Sequence, residues 1–233
     1  MTEFAPRVNE SNPDPRIACA VLLDTSGSMF GNPIEELNKG FELFCQEIKD
    51  DELAAKRAEV AVITFGGEAR LAVPFTEGRD LKPQPLTAGG TTPLGQALNL
   101  ALDELERQKG AYRAAGLEYY RPWLFVLTDG RPTDPEIFAV AADRVRKAED
   151  KRHVSVFGIG IGEGADLSHL EELSAQRKPL RLAGLSFREF FSWLSASLGS
   201  ASASTAFGGS DSAVATAEAA EQIPLPPAGW ATA

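Results

Sequence analysis

The sequence predicts an α/β fold: a three-layer open sheet, mainly parallel with one antiparallel edge strand, and helices on both faces. Three observations carry this. Strand-like and helix-like stretches alternate along most of the 233 residues, which favours crossover connections within one sheet. Several strand candidates are continuous apolar runs, as expected of strands buried on both faces. Two further runs meet at Gly66–Gly67 and read as a hairpin, which puts one strand antiparallel at an edge.

Taken in order, residues 1–15 are polar, carry Pro13 and Pro15, and read as a flexible lead. "RIACAVLLD" (16–24) is the first buried strand. Beyond Pro33, Ile34, Leu37, Phe41, Phe44 and Ile48 recur at three- and four-residue steps, giving an amphipathic helix with proline in its first turn. "AEVAVITFG" (58–66) and "EARLAVPFT" (68–76) form the hairpin, and Pro74 assigns the second strand to the edge because it cannot donate to a ladder. "LTAGGTTPLGQALNLALDELERQ" is a glycine-rich loop entering a helix, and "AYRAAGLEYYRP" (111–122) reads as a loop. "WLFVLTDG" (123–130) is a strand stopping at an aspartate and a glycine, followed by the helix "DPEIFAVAADRVRKAED". "HVSVFGIGIG" (153–162) is a strand, "ADLSHLEELSA" a short helix, "PLRLAG" a last strand and "SFREFFSWLSASL" (186–198) a terminal helix. From Gly199 to Ala233 an Ala/Ser/Gly-rich and then Pro-rich tail lacks periodic apolar anchors and reads as flexible, with "IPLPPAGWATA" able to dock on its own domain or a partner.

Composition narrows the function. A hydrophobic content of 43% in a chain of this length supports one main domain. A net charge of −10 argues against sequence-independent nucleic-acid binding and against anionic membrane surfaces, both of which need clustered Lys and Arg. The N-terminus lacks a basic region followed by an apolar core, no apolar run approaches a bilayer span, and Cys19 and Cys45 read as small core residues; a cytoplasmic setting is the expectation.

In open α/β sheets, ligands bind at the carboxyl ends of the strands where strand order reverses. Three loops reach that edge with one chemistry: "DTSGS" after the first strand, "GGTTP" before the second large helix, and "TDG" after the "WLFVL" strand. They bring hard oxygen donors only, from Asp24, Ser26, Ser28, Thr91 or Thr92, and Asp129. Such a set suits a hard divalent cation, and the absence of His and Cys argues against zinc. Each loop alone also reads as a turn or helix cap. A metal-dependent phosphohydrolase with Asp24 as nucleophile is the rival reading, weakened by Ser26 where such enzymes place a second aspartate.

Asp-x-Ser-x-Ser at a first strand end, Gly-Gly-Thr opening a helix and Thr-Asp-Gly at a later strand end resemble the metal-ion-dependent adhesion site of von Willebrand factor type A domains, over roughly residues 16–198. The resemblance implies a Rossmann-like domain that is not an enzyme. It makes Ser26 and Ser28 direct ligands, Asp24 and Asp129 direct or water-mediated ones, and Thr92, from its spacing to Ala97–Leu98, the ligand threonine. The cofactor expected is Mg²⁺ or Mn²⁺, with Ca²⁺ less suited, and the partner a protein presenting Asp or Glu. Met29, Phe30, Tyr119 and Tyr120 are expected at the partner-binding rim, and partner binding is expected to shift the terminal helix. That helix with "IPLPPAGW" resembles bacterial cytoplasmic type A proteins of tellurium-resistance and stress-response loci.

Overall fold

The computed structural model describes residues 8–203 and the backbone of 231 and 232; residues 204–230, most of the tail, lie outside the described residues, as do 1–7 and 233. The sheet contains β1 (Ile17–Asp24), β2 (Ala58–Gly66), β3 (Glu68–Glu77), β4 (Trp123–Thr128), β5 (Ser155–Ile161) and β6 (Leu180–Leu182) in the order β3-β2-β1-β4-β5-β6. Neighbours pair in parallel except β2 with β3. At the far edge a two-residue strand, β7 (Ala231–Thr232), adds antiparallel to β6, so the end of the tail does pair with its own domain. The order reverses between β1 and β4, and their carboxyl ends form the switch-point crevice.

All eight residues of β1 are buried, and alternation divides them between two cores. Ile17, Cys19, Val21 and Leu23 face α1 (Asn32–Asp50) and α6 (Phe187–Ala203); Ala18, Ala20 and Leu22 face α3 (Leu94–Ala114) and α4 (Pro135–Asp150). Two short helices, α2 (Glu52–Arg57) and α5 (Ser168–Glu171), complete the layers. On the first face Phe41 and Phe44 of α1 meet Phe191 of α6 with ring centroids 5.3–6.0 Å apart. Burial of each such ring contributes about 1.5–3 kcal/mol, which is what docks α6. Cys19 and Cys45 are buried free thiols.

Three local features go beyond the sequence reading. The 111–122 segment is helical as far as Ala114, because Tyr112 is fully buried, packs with its ring tilted against Tyr119 at 5.5 Å and donates to Glu59 at 2.8 Å. The acidic run after Ile48 ends α1 at Asp50, and the Asp51 carboxylate accepts the N–H groups of Leu53 and Ala54 and starts α2. From Asn9 onward the lead is hydrogen-bonded to the domain. Asn12 is buried and donates to Glu77 (2.5 Å) and to the Lys56 carbonyl (2.8 Å), while Arg16, fully buried, pairs with Glu59 at 3.1 Å. Gln108 also donates to Glu59 at 2.6 Å, so this buried charge at the amino end of the sheet is surrounded by donors.

Candidate metal centre

Pairing of Leu23 with Leu127 sets Asp24 beside Thr128 at the carboxyl ends of β1 and β4. Asp24 is fully buried; its Oδ1 accepts the Ser26 N–H at 2.8 Å and its Oδ2 accepts the Thr128 hydroxyl at 2.5 Å. The turn Gly27–Met29 then brings two hydroxyls round, with Ser26 Oγ 3.1 Å from Ser28 Oγ. Ser28 Oγ donates to Asp129 Oδ1 at 2.8 Å, closing a contact between residues 101 positions apart. Side-chain oxygens of Asp24, Ser26, Ser28 and Asp129 thus converge on one spot from two loops.

The third loop is tied in through backbone. Gly27 donates to the Gly90 carbonyl (3.0 Å), Gly89 to Thr25 (2.8 Å) and Gly67 to Thr91 (2.8 Å). The floor is backbone against backbone: a Cβ on Gly66 would stand 2.2 Å from the Thr25 carbonyl oxygen, and one on Gly90, at φ +75°, 2.6 Å from Gly67. Within this loop Thr92 is buried and Thr91 exposed.

Burial pushes the Asp24 carboxyl up to about 6; hydrogen bonds from Ser26 and Thr128 pull against that, and the charge of Asp129 adds to it. Among the described residues no Lys or Arg forms an ion pair with Asp24 or Asp129. Nor do three or more His, Cys, Asp or Glu gather anywhere among them as a metal-binding group. The donor set is two carboxylates with hydroxyls, which fits a hard divalent cation.

The rim differs from expectation. Phe30 is 79% exposed beside the cluster. Met29 is fully buried, because the tight turn that turns Ser28 outward rotates the next side chain into the core under α1. Tyr119 and Tyr120 are also buried, and at the opposite end of the sheet: Tyr119 bridges to Arg16 and the Tyr120 N–H donates to the Arg16 carbonyl at 2.8 Å. They precede a strand parallel to β1 and so belong to its amino edge. In their place Arg131, with its side chain 75% exposed and paired to Asp166 at 2.8 Å, stands two residues beyond Asp129. Thr128, which engages Asp24, was visible only as the first letter of "TDG"; Asp134 was visible only as the start of a helix, and the bonds by which Thr133 and Asp134 brace the third loop carried no signal in the sequence.

Fold and site define an open α/β domain with a hard-oxygen cluster at its switch point. A family model described as von Willebrand factor type A domain matches residues 19–188, and the chain belongs to that family. Among solved structures it resembles the von Willebrand factor type A protein of Catenulispora acidiphila (19% identity, 80% of this chain and 43% of that one, TM-score 0.56). It also resembles proximal thread matrix protein 1 of the mussel byssus with a zinc-occupied metal-ion-dependent adhesion site (21%, 79% and 48%, TM-score 0.53). The manganese-loaded TRAP protein of Plasmodium vivax is a further neighbour (17%, 76% and 73%, TM-score 0.50). The chain spans less than half the length of the first two. No curated protein matches it. Domains of this family with such metal sites mediate protein–protein interaction and bind divalent metals. No helix among the described residues is long and apolar enough to cross a membrane.

Proposed function

We propose that this chain is a divalent-metal-dependent protein–protein interaction module in which Asp24, Ser26, Ser28, Thr92 and Asp129 hold the cation and an acidic side chain of a partner protein completes its coordination. The observation that carries the reading is the convergence of two carboxylates, neither ion-paired to Lys or Arg among the described residues, and two hydroxyls, from loops 101 residues apart, in one hydrogen-bonded chain. Asp24 is buried without an ion-pair partner among the described residues, which is costly, and a divalent ion offsets that cost. Mg²⁺ or Mn²⁺ suits this small hard set better than Ca²⁺. When bound, the ion supplies an electrophilic position for a carboxylate; Phe30 and Arg131 flank the approach and select among partners.

The phosphohydrolase reading needs Asp24 as an accessible nucleophile, whereas its carboxylate is fully buried with both oxygens engaged. The cytoplasmic tellurium-resistance and stress-response setting enters the proposal through the terminal helix and the Pro-rich tail alone.

The test is calorimetric titration with Mn²⁺ and Mg²⁺ of wild type, Ser26→Ala and Asp129→Ala, followed by selection from a peptide library with a fixed central Asp or Glu, with and without chelator. Saturable metal binding lost in both variants, with chelator-sensitive peptide capture weakened by Phe30→Ala, is expected. Equal metal binding by wild type and both variants would refute the site; metal-independent peptide capture would refute the mode of recognition.

A further inference from the structure

Thr133 and Asp134 contribute no oxygen to the cluster, yet they hold its far side. Thr92 is gripped at both ends of its backbone: its N–H donates to Thr133 Oγ1 at 3.0 Å and its carbonyl accepts the Thr133 N–H at 2.9 Å. The Asp134 carboxylate reaches across to the first turn of α3, accepting the N–H groups of Gly95 (3.1 Å) and Gln96 (2.9 Å). Pro93 stands at the N-cap position of α3 and offers no side-chain cap, so the helix takes its cap from a residue 38 and 39 positions downstream of the two donors. A carboxylate there also complements the positive end of the helix dipole.

Gly95 makes that reach possible. A Cβ at this position would stand 2.3 Å from the Phe138 nitrogen, so the first turns of α3 and α4 touch backbone to backbone. The Asp134 carbonyl meanwhile accepts the Phe138 N–H at 2.8 Å and starts α4. One tripeptide, Gly130-Arg131-Pro132 between Asp129 and Thr133, therefore links the loop that carries Asp129 to the loop that carries Thr92.

We propose that Thr133 and Asp134 are positioning residues of the metal centre: Thr133 fixes the backbone of Thr92 and Asp134 fixes the start of α3, so that the oxygens of Thr92 and Asp129 are presented as one preformed set. This rests on the reading of the site given above. A donor held by such outer partners loses less freedom on binding, and removal of partners of this kind typically weakens metal affinity about 10–100-fold.

The test uses the full chain and Mn²⁺ alone, followed by the electron paramagnetic resonance of free and bound ion, in wild type, Thr92→Val, Thr133→Val, Thr133→Ser and Asp134→Ala. Thr133 is exposed and Asp134 half-buried, so these variants leave the core untouched, and thermal unfolding in EDTA checks each fold. Thr133→Val keeps the shape without the acceptor and Asp134→Ala removes the cap; each is expected to raise the Mn²⁺ Kd about 10–100-fold, with Thr133→Ser close to wild type. A Kd unchanged in both Thr133→Val and Asp134→Ala overturns the inference, including the case where only their thermal stability falls, which assigns a purely structural role. If Thr92→Val is weakened in that same experiment, the reading of the site stands without it; a wild-type chain that fails to bind Mn²⁺ removes both.

Discussion

Replacing Asp24 with asparagine is expected to stabilise the metal-free chain at neutral pH and to abolish metal binding. Asp24 is fully buried, and its carboxyl stands at about 6 rather than 3.8, chiefly because burial strips water from the charged form. That displacement corresponds to about 3 kcal/mol against the ionised carboxylate. Since the folded value lies above the unfolded one, the contribution to stability is complete below 3.8 and is lost as pH rises through about 6. Asparagine keeps an acceptor for the Ser26 N–H, and the Thr128 hydroxyl can turn to accept from the new amide, so both hydrogen bonds survive. Other carboxylates titrate in the same range. The quantity to measure is therefore the difference between wild type and Asp24→Asn, by urea denaturation in EDTA from about pH 4 to about pH 7.5. It is expected to grow from near zero at the acid end to about 3 kcal/mol in favour of the variant, or about 6–12 °C in Tm for a chain of this size. Added Mn²⁺ then raises the Tm of wild type, less so as pH falls through about 6 because protons compete for Asp24, and leaves the variant where it was. Parallel pH profiles in EDTA for the two proteins would refute the reasoning.

Gly95→Ala forces a methyl group against the α4 backbone and is expected to cost about 1–3 kcal/mol in urea denaturation while also weakening Mn²⁺ binding, since α3 and α4 must part. Glu59→Ala leaves Arg16 buried without its carboxylate and is expected to cost about 3–5 kcal/mol, with Mn²⁺ affinity unchanged because the pair lies at the opposite edge of the sheet; a matching loss of affinity would show the two ends to be coupled. Hydrogen exchange across α6 is expected to change when Mn²⁺ and an acidic peptide selected on the metal-loaded chain are added together; identical protection with and without them would rule out movement of this helix.

The alternation of strands and helices was legible because each element has its own period and its own punctuation: Pro33 opens a helix, Gly66–Gly67 turns a hairpin, and Pro74 keeps to an edge. The oxygen loops were legible for a related reason, since Asp24 and Asp129 each stand where an apolar run stops, and parallel strands put such stops on one edge. Aromatic residues gave no such guidance. Tyr119 and Tyr120 look like loop residues free to face a partner, and only their position before a strand, hence at its amino end, separates them from the site. Met29 sits between two outward residues in a short turn whose letters do not say which side chain faces the core. The bonds from Thr133 and Asp134 join segments about 40 positions apart, and no local pattern reports them. The docking of the lead is equally long-range, since Asn12 finds its acceptor on Glu77.

The glycine floor beneath the cluster sets where this molecule can be rewritten. With Gly66 against Thr25 and Gly90 against Gly67, any larger residue at those glycines displaces main chain. Diversity has to be introduced from above, at Phe30 and Arg131, which are exposed and whose replacement disturbs no buried contact. A laboratory library aimed at retargeting the domain would therefore randomise those two positions and leave the glycines as fixed masonry.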